Sequence, residues 1–222
     1  MTMKMILKIT SLLIFTGLTF FLTSCYSSSP KTDKQSTTMK NYFDSTGSVF
    51  VKLYKPADNK VVSYWETWNT NDKTATTHFG FIGDKGTSEN VITSSSKELQ
   101  DKINSLIDQK IKEGYSEIPI EKQYTVTINF KLKTWGTSKD LDRREFVRNI
   151  VTENLGWTGN GRCDDGDIGS GEMTLFADVI DPYIAIKTLT KEFIDKKITD
   201  EHTFGIMLGD KVITTDYKQG NK

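Results

Sequence analysis

The sequence predicts an α+β protein of two modules, and three observations carry the prediction. Between residues 48 and 93, four short segments rich in β-branched and aromatic residues are separated by Asn, Asp and Gly turns, the pattern of a small antiparallel sheet. From 95 to 114 apolar residues recur at helical spacing. After Pro119 the strand pattern restarts and then alternates with two further helical stretches, which points to a second sheet with helices of its own.

In the first module, strands are expected over 48–54, 61–68, 74–82 and 88–93. Asn69-Thr70-Asn71-Asp72 supplies one turn, and Gly83-Asp84-Lys85-Gly86 suits a tight hairpin. Ser95 with Glu98 three residues later reads as a capping box. Leu99, Ile103, Leu106, Ile107 and Ile111 then share one helix face, and Gly114 closes the helix. That face must pack on the sheet.

In the second module, Val126, Ile128, Phe130 and Leu132 alternate with Thr125, Thr127, Asn129 and Lys131, a strand with one buried face. A helix over 139–155 is expected to turn Leu141, Phe146, Val147, Ile150, Val151 and Leu155 inward and Arg143, Arg144, Arg148 and Glu153 outward. The glycine-dense stretch 156–172 is read as a short strand near 159–164 and a hairpin loop. Met173, Leu175, Ala177 and Val179 mark the next strand, and Asp181-Pro182 supplies an N-cap and a first-turn proline for a helix carrying Ala185, Ile186, Leu189 and Phe193. Residues 202–208 and 212–215 close the chain as a strand pair around Gly209-Asp210. The order β-α-β-β-α-β fits a ferredoxin-like α+β sandwich. Its open face would show Thr125, Thr127, Asn129 and Phe176.

The first 24 residues follow a different rule. Lys4 and Lys8 precede an apolar run from about Ile9 to Leu22 with no acid before Cys25, as in a secretory signal peptide. The run is shorter than the roughly 20 residues that cross a bilayer as a helix. Leu22-Thr23-Ser24-Cys25 resembles the lipobox of bacterial lipoproteins, in which the cysteine thiol receives diacylglycerol. The resemblance implies cleavage before Cys25, lipidation of Cys25 with palmitate-type acyl chains, and an extracytoplasmic position in the cell envelope. Several chains on one residue hold firmly, since each buried methylene adds about 0.8 kcal/mol. The organisation expected is a signal peptide over 1–24, a Ser/Thr/Lys-rich tether over 25–46, and folded domains over 47–120 and 121–218.

Composition narrows the chemistry. Cleavage would remove two lysines and no acid, leaving 27 basic and 29 acidic residues, whereas a nucleic-acid binder is usually basic. With Cys25 modified, Cys163 is the one remaining thiol, so no intramolecular disulfide and no cysteine-based metal site is available. The chain has two histidines, His78 and His202, which argues against histidine zinc sites and Ser-His triads. Asp164, Asp165, Asp167 and Glu172 carry oxygen ligands suited to calcium, but their spacing is not that of an EF-hand loop. No metal, cofactor or catalytic residue is expected.

Tyr64-Trp65-Glu66, the run Phe79-Gly80-Phe81-Ile82-Gly83-Asp84-Lys85-Gly86, and the helix end Lys110-Ile111-Lys112-Glu113-Gly114-Tyr115 together resemble the WGR domain, a small sheet with one packed helix. In poly(ADP-ribose) polymerases that domain binds broken DNA and contacts a catalytic domain. The Trp-Gly-Arg triplet aligns with Phe79-Gly80-Phe81, and a phenylalanine lacks the charge and bidentate donors of arginine. Residues 46–120 also hold nine lysines and no arginine against ten acids. The reading that follows is a WGR-like module ahead of the ferredoxin-like one, in a lipid-anchored, non-enzymatic protein that binds another protein and includes the immunity-like or accessory kind. Trp65, Phe79 and Phe81 are its candidate interaction residues. Nucleic-acid binding through the WGR-like module is the alternative.

Overall fold

The structure, a computed structural model, describes residues 40–57, 60–209 and 211–215. The signal peptide, Cys25 and the tether as far as residue 39 lie outside the described residues. Two antiparallel sheets and three α-helices make a mixed α+β architecture.

The first sheet is a four-stranded meander of β1 (Phe50–Ala57), β2 (Lys60–Asn69), β3 (Thr74–Phe81) and β4 (Thr87–Ile92), paired in that order. One face packs on α1 (Ser96–Lys112). The period of two sends Val51 and Leu53, then Trp65, then Ala75 toward Leu99, Ile103 and Ile107 of the helix, and all seven are buried. Burial of each large side chain in that set stabilises the fold by about 1.5–3 kcal/mol. Ile111, expected on the packed face, is exposed because it falls in the last turn of the helix, past the edge of the sheet core. Ser95 caps α1 by accepting from the Glu98 amide, but the Glu98 carboxylate turns back to the backbone and hydroxyl of Ser94 rather than to Ser95. The segment 40–46, counted with the tether from the sequence, adds Phe43 to this core. Tyr42 beside it donates its hydroxyl to Asp108 at 2.8 Å, and burial, followed by that carboxylate, pushes the phenol up to about 12.

The second sheet contains β5 (Tyr124–Lys131), β6 (Gly161–Gly169), β7 (Glu172–Val179), β8 (His202–Leu208) and β9 (Lys211–Thr215), in the spatial order β6-β7-β5-β8-β9. Both α2 (Ser138–Trp157) and α3 (Pro182–Asp195) cover the same face. Their buried residues Val147, Val151, Leu155, Leu189 and Phe193 meet Ile128, Phe130, Leu175 and Phe204 of the sheet. Leu141 and Phe146, expected to point inward, are exposed, because the face that meets the sheet is narrowed to the Val147-Val151-Leu155 stripe. The three arginines of this helix are each engaged within the fold: Arg143 with Asp200 at 2.8 Å, and Arg144 and Arg148 with Glu145 at 3.1 and 2.8 Å.

The acidic stretch 164–172 also differs from the expectation of a loop. β6 continues through Asp164, Asp165 and Asp167 to Gly169, and the turn is confined to Ser170-Gly171, both at positive φ, as a two-residue hairpin prefers. Asp164 is paired with Arg162 at 2.7 Å, and although Asp165 and Asp167 share a strand face, no third carboxylate joins them among the described residues. On the open face of this sheet Thr125 donates to Asp178 and Thr174 to Asn129, Thr127 is buried and Phe176 is half-buried.

At the start of α2 Thr137 and Asp140 form a reciprocal capping box. The Thr137 hydroxyl, first, and its backbone N–H hold the Asp140 carboxyl below its ordinary 3.8. A depressed carboxylate contributes stability above about pH 4, lost as pH falls through the depressed value. Thr137→Ala is therefore expected to lower the unfolding free energy by about 1 kcal/mol at neutral pH, and urea unfolding should show that difference shrinking in acid.

Candidate functional site in the cleft between the two sheets

The face of the first sheet opposite α1 carries the polar and aromatic side chains that alternation leaves over. Register places them in rows across the strands. Lys52 lies opposite Glu66 and Glu66 opposite His78, while Phe50 lies opposite Trp68 in the neighbouring row. The central row is bonded throughout: Lys52 Nζ is 3.2 Å from Glu66 Oε2, and His78 Nδ1 is 2.6 Å from Glu66 Oε1. His78 Nε2 is 2.7 Å from the Lys85 carbonyl oxygen. Nδ1 thus faces the Glu66 carboxylate, and Nε2 faces both the Lys85 carbonyl and the Tyr64 hydroxyl, which is 3.1 Å away. His78 and Glu66 are buried.

Tyr64 links this row to the end of α2. Its hydroxyl is 3.1 Å from His78 Nε2 and reaches the carbonyl oxygens of Asp84 and Trp157 at 3.2 and 3.3 Å. Burial, then the Glu66 and Asp84 carboxylates, push the Tyr64 phenol well above its usual value. The fit depends on Gly86 and Gly159, both at positive φ, where an added Cβ would clash with the Tyr64 hydroxyl and the Tyr64 ring respectively. Around this tyrosine Tyr54, Ile82 and Ile180 form a small core with Ile118 and Ile184, and the Gly83 amide donates to the Thr158 carbonyl at 2.9 Å.

Beside that junction is an open cleft of about 790 Å³. The first sheet lines it with Phe50, Lys52, Tyr54, Glu66 and Trp68, the end of α2 with Glu153 and Trp157, and β6 with Arg162 and Asp164; the segment 117–123 borders it through Glu117 and Ile120. Trp157 is central. Its ring packs edge-to-face 6.4 Å from Trp68 and 5.0 Å from His78, and its indole N–H donates to Glu153 at 2.9 Å, yet it is 43% exposed. Burial of Trp157 on one side and exposure on the other is the setting in which aromatic residues anchor partners.

The three candidate residues from the sequence do not form one patch. Trp65 is 4% exposed in the α1 core, and Phe79, its cross-strand neighbour, is half-buried against the same core. Phe81, one further step along the face, is 61% exposed at the end of β3. The cleft residues were not singled out from the sequence. A signal exists in β1 and β2, where Lys52, Tyr64, Glu66 and Trp68 fall on the parity opposite the buried Leu53 and Trp65. The approach of Trp157 from 90 residues away leaves no local trace.

No family model, no curated protein and no solved structure matches the chain.

What the cleft can do chemically follows from its side chains. Of its four carboxylates, Glu66 is paired with Lys52 and Asp164 with Arg162 at 2.7 Å. Cys163 points away from it into the second core, where burial pushes the thiol up to about 12. The folded chain is expected to alkylate at Cys163 on the order of a thousandfold more slowly than a free cysteine at neutral pH, and iodoacetamide labelling followed by mass spectrometry would measure it. Among the described residues no group of three or more His, Cys, Asp and Glu side chains is placed to hold a metal ion, and no helix is long and apolar enough to cross a membrane.

Proposed function

We propose that this chain is a lipid-anchored, non-enzymatic binding protein of the bacterial cell envelope, holding a protein partner in the cleft between its two sheets. The carrying observation is the combination in that cleft: exposed Phe50 and Trp157 beside a Lys52-Glu66 ion pair whose carboxylate is also held by the buried His78 behind it. Side chains bonded to one another in this way fix the shape of a recognition surface, and His78 and the Tyr64 hydroxyl beside it are buried away from solvent. The lipobox at Leu22-Thr23-Ser24-Cys25 supports the envelope position.

The modular reading has support of its own. A four-stranded meander with one packed helix is the architecture of a WGR-like module, and the order β6-β7-β5-β8 with both helices on one face is that of a ferredoxin-like sandwich carrying β9 as an extra edge strand. Nucleic-acid binding draws little support from Phe81, which stands alone in its exposure among the three aromatic candidates.

Chemical crosslinking in intact cells, then affinity purification from detergent-solubilised envelope, tests the proposal. One envelope protein recovered in fixed ratio with the wild type, and lost with Trp157→Ala, is the expected result. Repeated recovery of the chain alone would count against it, as would palmitate labelling that persists in Cys25→Ala.

A further inference from the structure

We infer that the cleft recognises an arginine side chain presented by a basic segment of the partner, held between the indole of Trp157 and the carboxylates of Glu117 and Glu153. The inference rests on the binding role proposed above and names the chemistry that the site selects. A volume of about 790 Å³ lies within the roughly 300–1,000 Å³ of sites that enclose a small ligand, enough for a few side chains of an extended segment.

Charge decides which side chains. The two cations of the cleft are already committed, Lys52 to Glu66 at 3.2 Å and Arg162 to Asp164 at 2.7 Å. Glu117 and Glu153 remain, both exposed and both without an ion pair among the described residues. Glu153 accepts one hydrogen bond, from the Trp157 indole, through Oε2 at 2.9 Å, which leaves Oε1 open. That bond ties a carboxylate to the edge of an exposed indole. A cation over the indole face gains from the ring quadrupole, and a planar guanidinium can stack there while its N–H groups reach the carboxylate. An acidic segment would meet two uncompensated carboxylates. Phe50, 69% exposed, and Ile120 offer apolar surface for the methylene stem.

Isothermal titration of the full-length chain in detergent with the peptide acetyl-Gly-Arg-Gly-Arg-Gly-amide tests the assignment. Expected is saturable one-to-one binding, weaker with lysine in place of arginine and absent with glutamate. The double substitution Glu117→Gln, Glu153→Gln should weaken it at least tenfold while leaving thermal unfolding unchanged, since both groups are exposed. No heat at millimolar peptide, equal affinity in the double variant, or binding of a chitin oligosaccharide in place of the peptide would overturn the assignment. If the double variant still co-purifies with the envelope partner, the binding role stands and the arginine site falls.

Discussion

Gly159→Ala is expected to lower the unfolding free energy by about 2–4 kcal/mol, a large share of what a domain of this size has. Gly159 sits at φ +68°, and an added Cβ would come within 2.1 Å of a Tyr64 ring carbon. Neither neighbour can yield cheaply. Tyr64 is fully buried and held through its hydroxyl by His78 and by the carbonyls of Asp84 and Trp157, and Gly159 belongs to the turn that returns the chain from α2 to β6. Relief would come by moving the turn after α2 away from Tyr64 and the first sheet. Urea unfolding should show the lost stability, and tryptophan fluorescence should report Trp157 moving away from Trp68 and His78. An alanine variant as stable as the wild type would mean that the tyrosine is not fixed against the turn after α2.

Glu66→Gln is expected to cost about 3 kcal/mol or more, because it removes one member of a buried ion pair and leaves the others without compensation. Glu66 accepts from Lys52 with one oxygen and from His78 with the other. The amide retains the volume but has a single acceptor oxygen, so it cannot replace both the contact to Lys52 and the contact to His78. His78 is enclosed at the junction and has no water to turn to. A double-mutant cycle with His78→Ala, measured by denaturant unfolding, should give a coupling free energy between the two positions well above the few tenths of a kcal/mol of independent sites. Additive effects would show that the row is held by the sheet register alone.

The elements of the fold were largely legible in the sequence, since each depends on short-range periodicity. The alternation Val126-Ile128-Phe130 became β5, and the spacing Leu99-Ile103-Ile107 became the packed stripe of α1. The failures fall where local pattern and three-dimensional surroundings compete. Phe146 and Leu141 obey helical spacing but lie outside the strip that meets the sheet. Asp165 to Asp167 read as loop because Gly and Asp disfavour strands, yet pairing with β7 draws them into one. Trp65 has the composition of an interaction residue and the parity of a core residue, and parity won.

The sequence by itself determined the mixed α+β class and the order of helices and strands, because propensity and periodicity are properties of neighbours along the chain. Tertiary structure decided the site. Lys52, Glu66 and His78 meet because β1, β2 and β3 pair in one register among several, and Trp157 joins them because Tyr64 fits against Gly159. Both are choices between packings of distant segments, whose free energies depend on the assembled surfaces and leave no mark in any short window of residues.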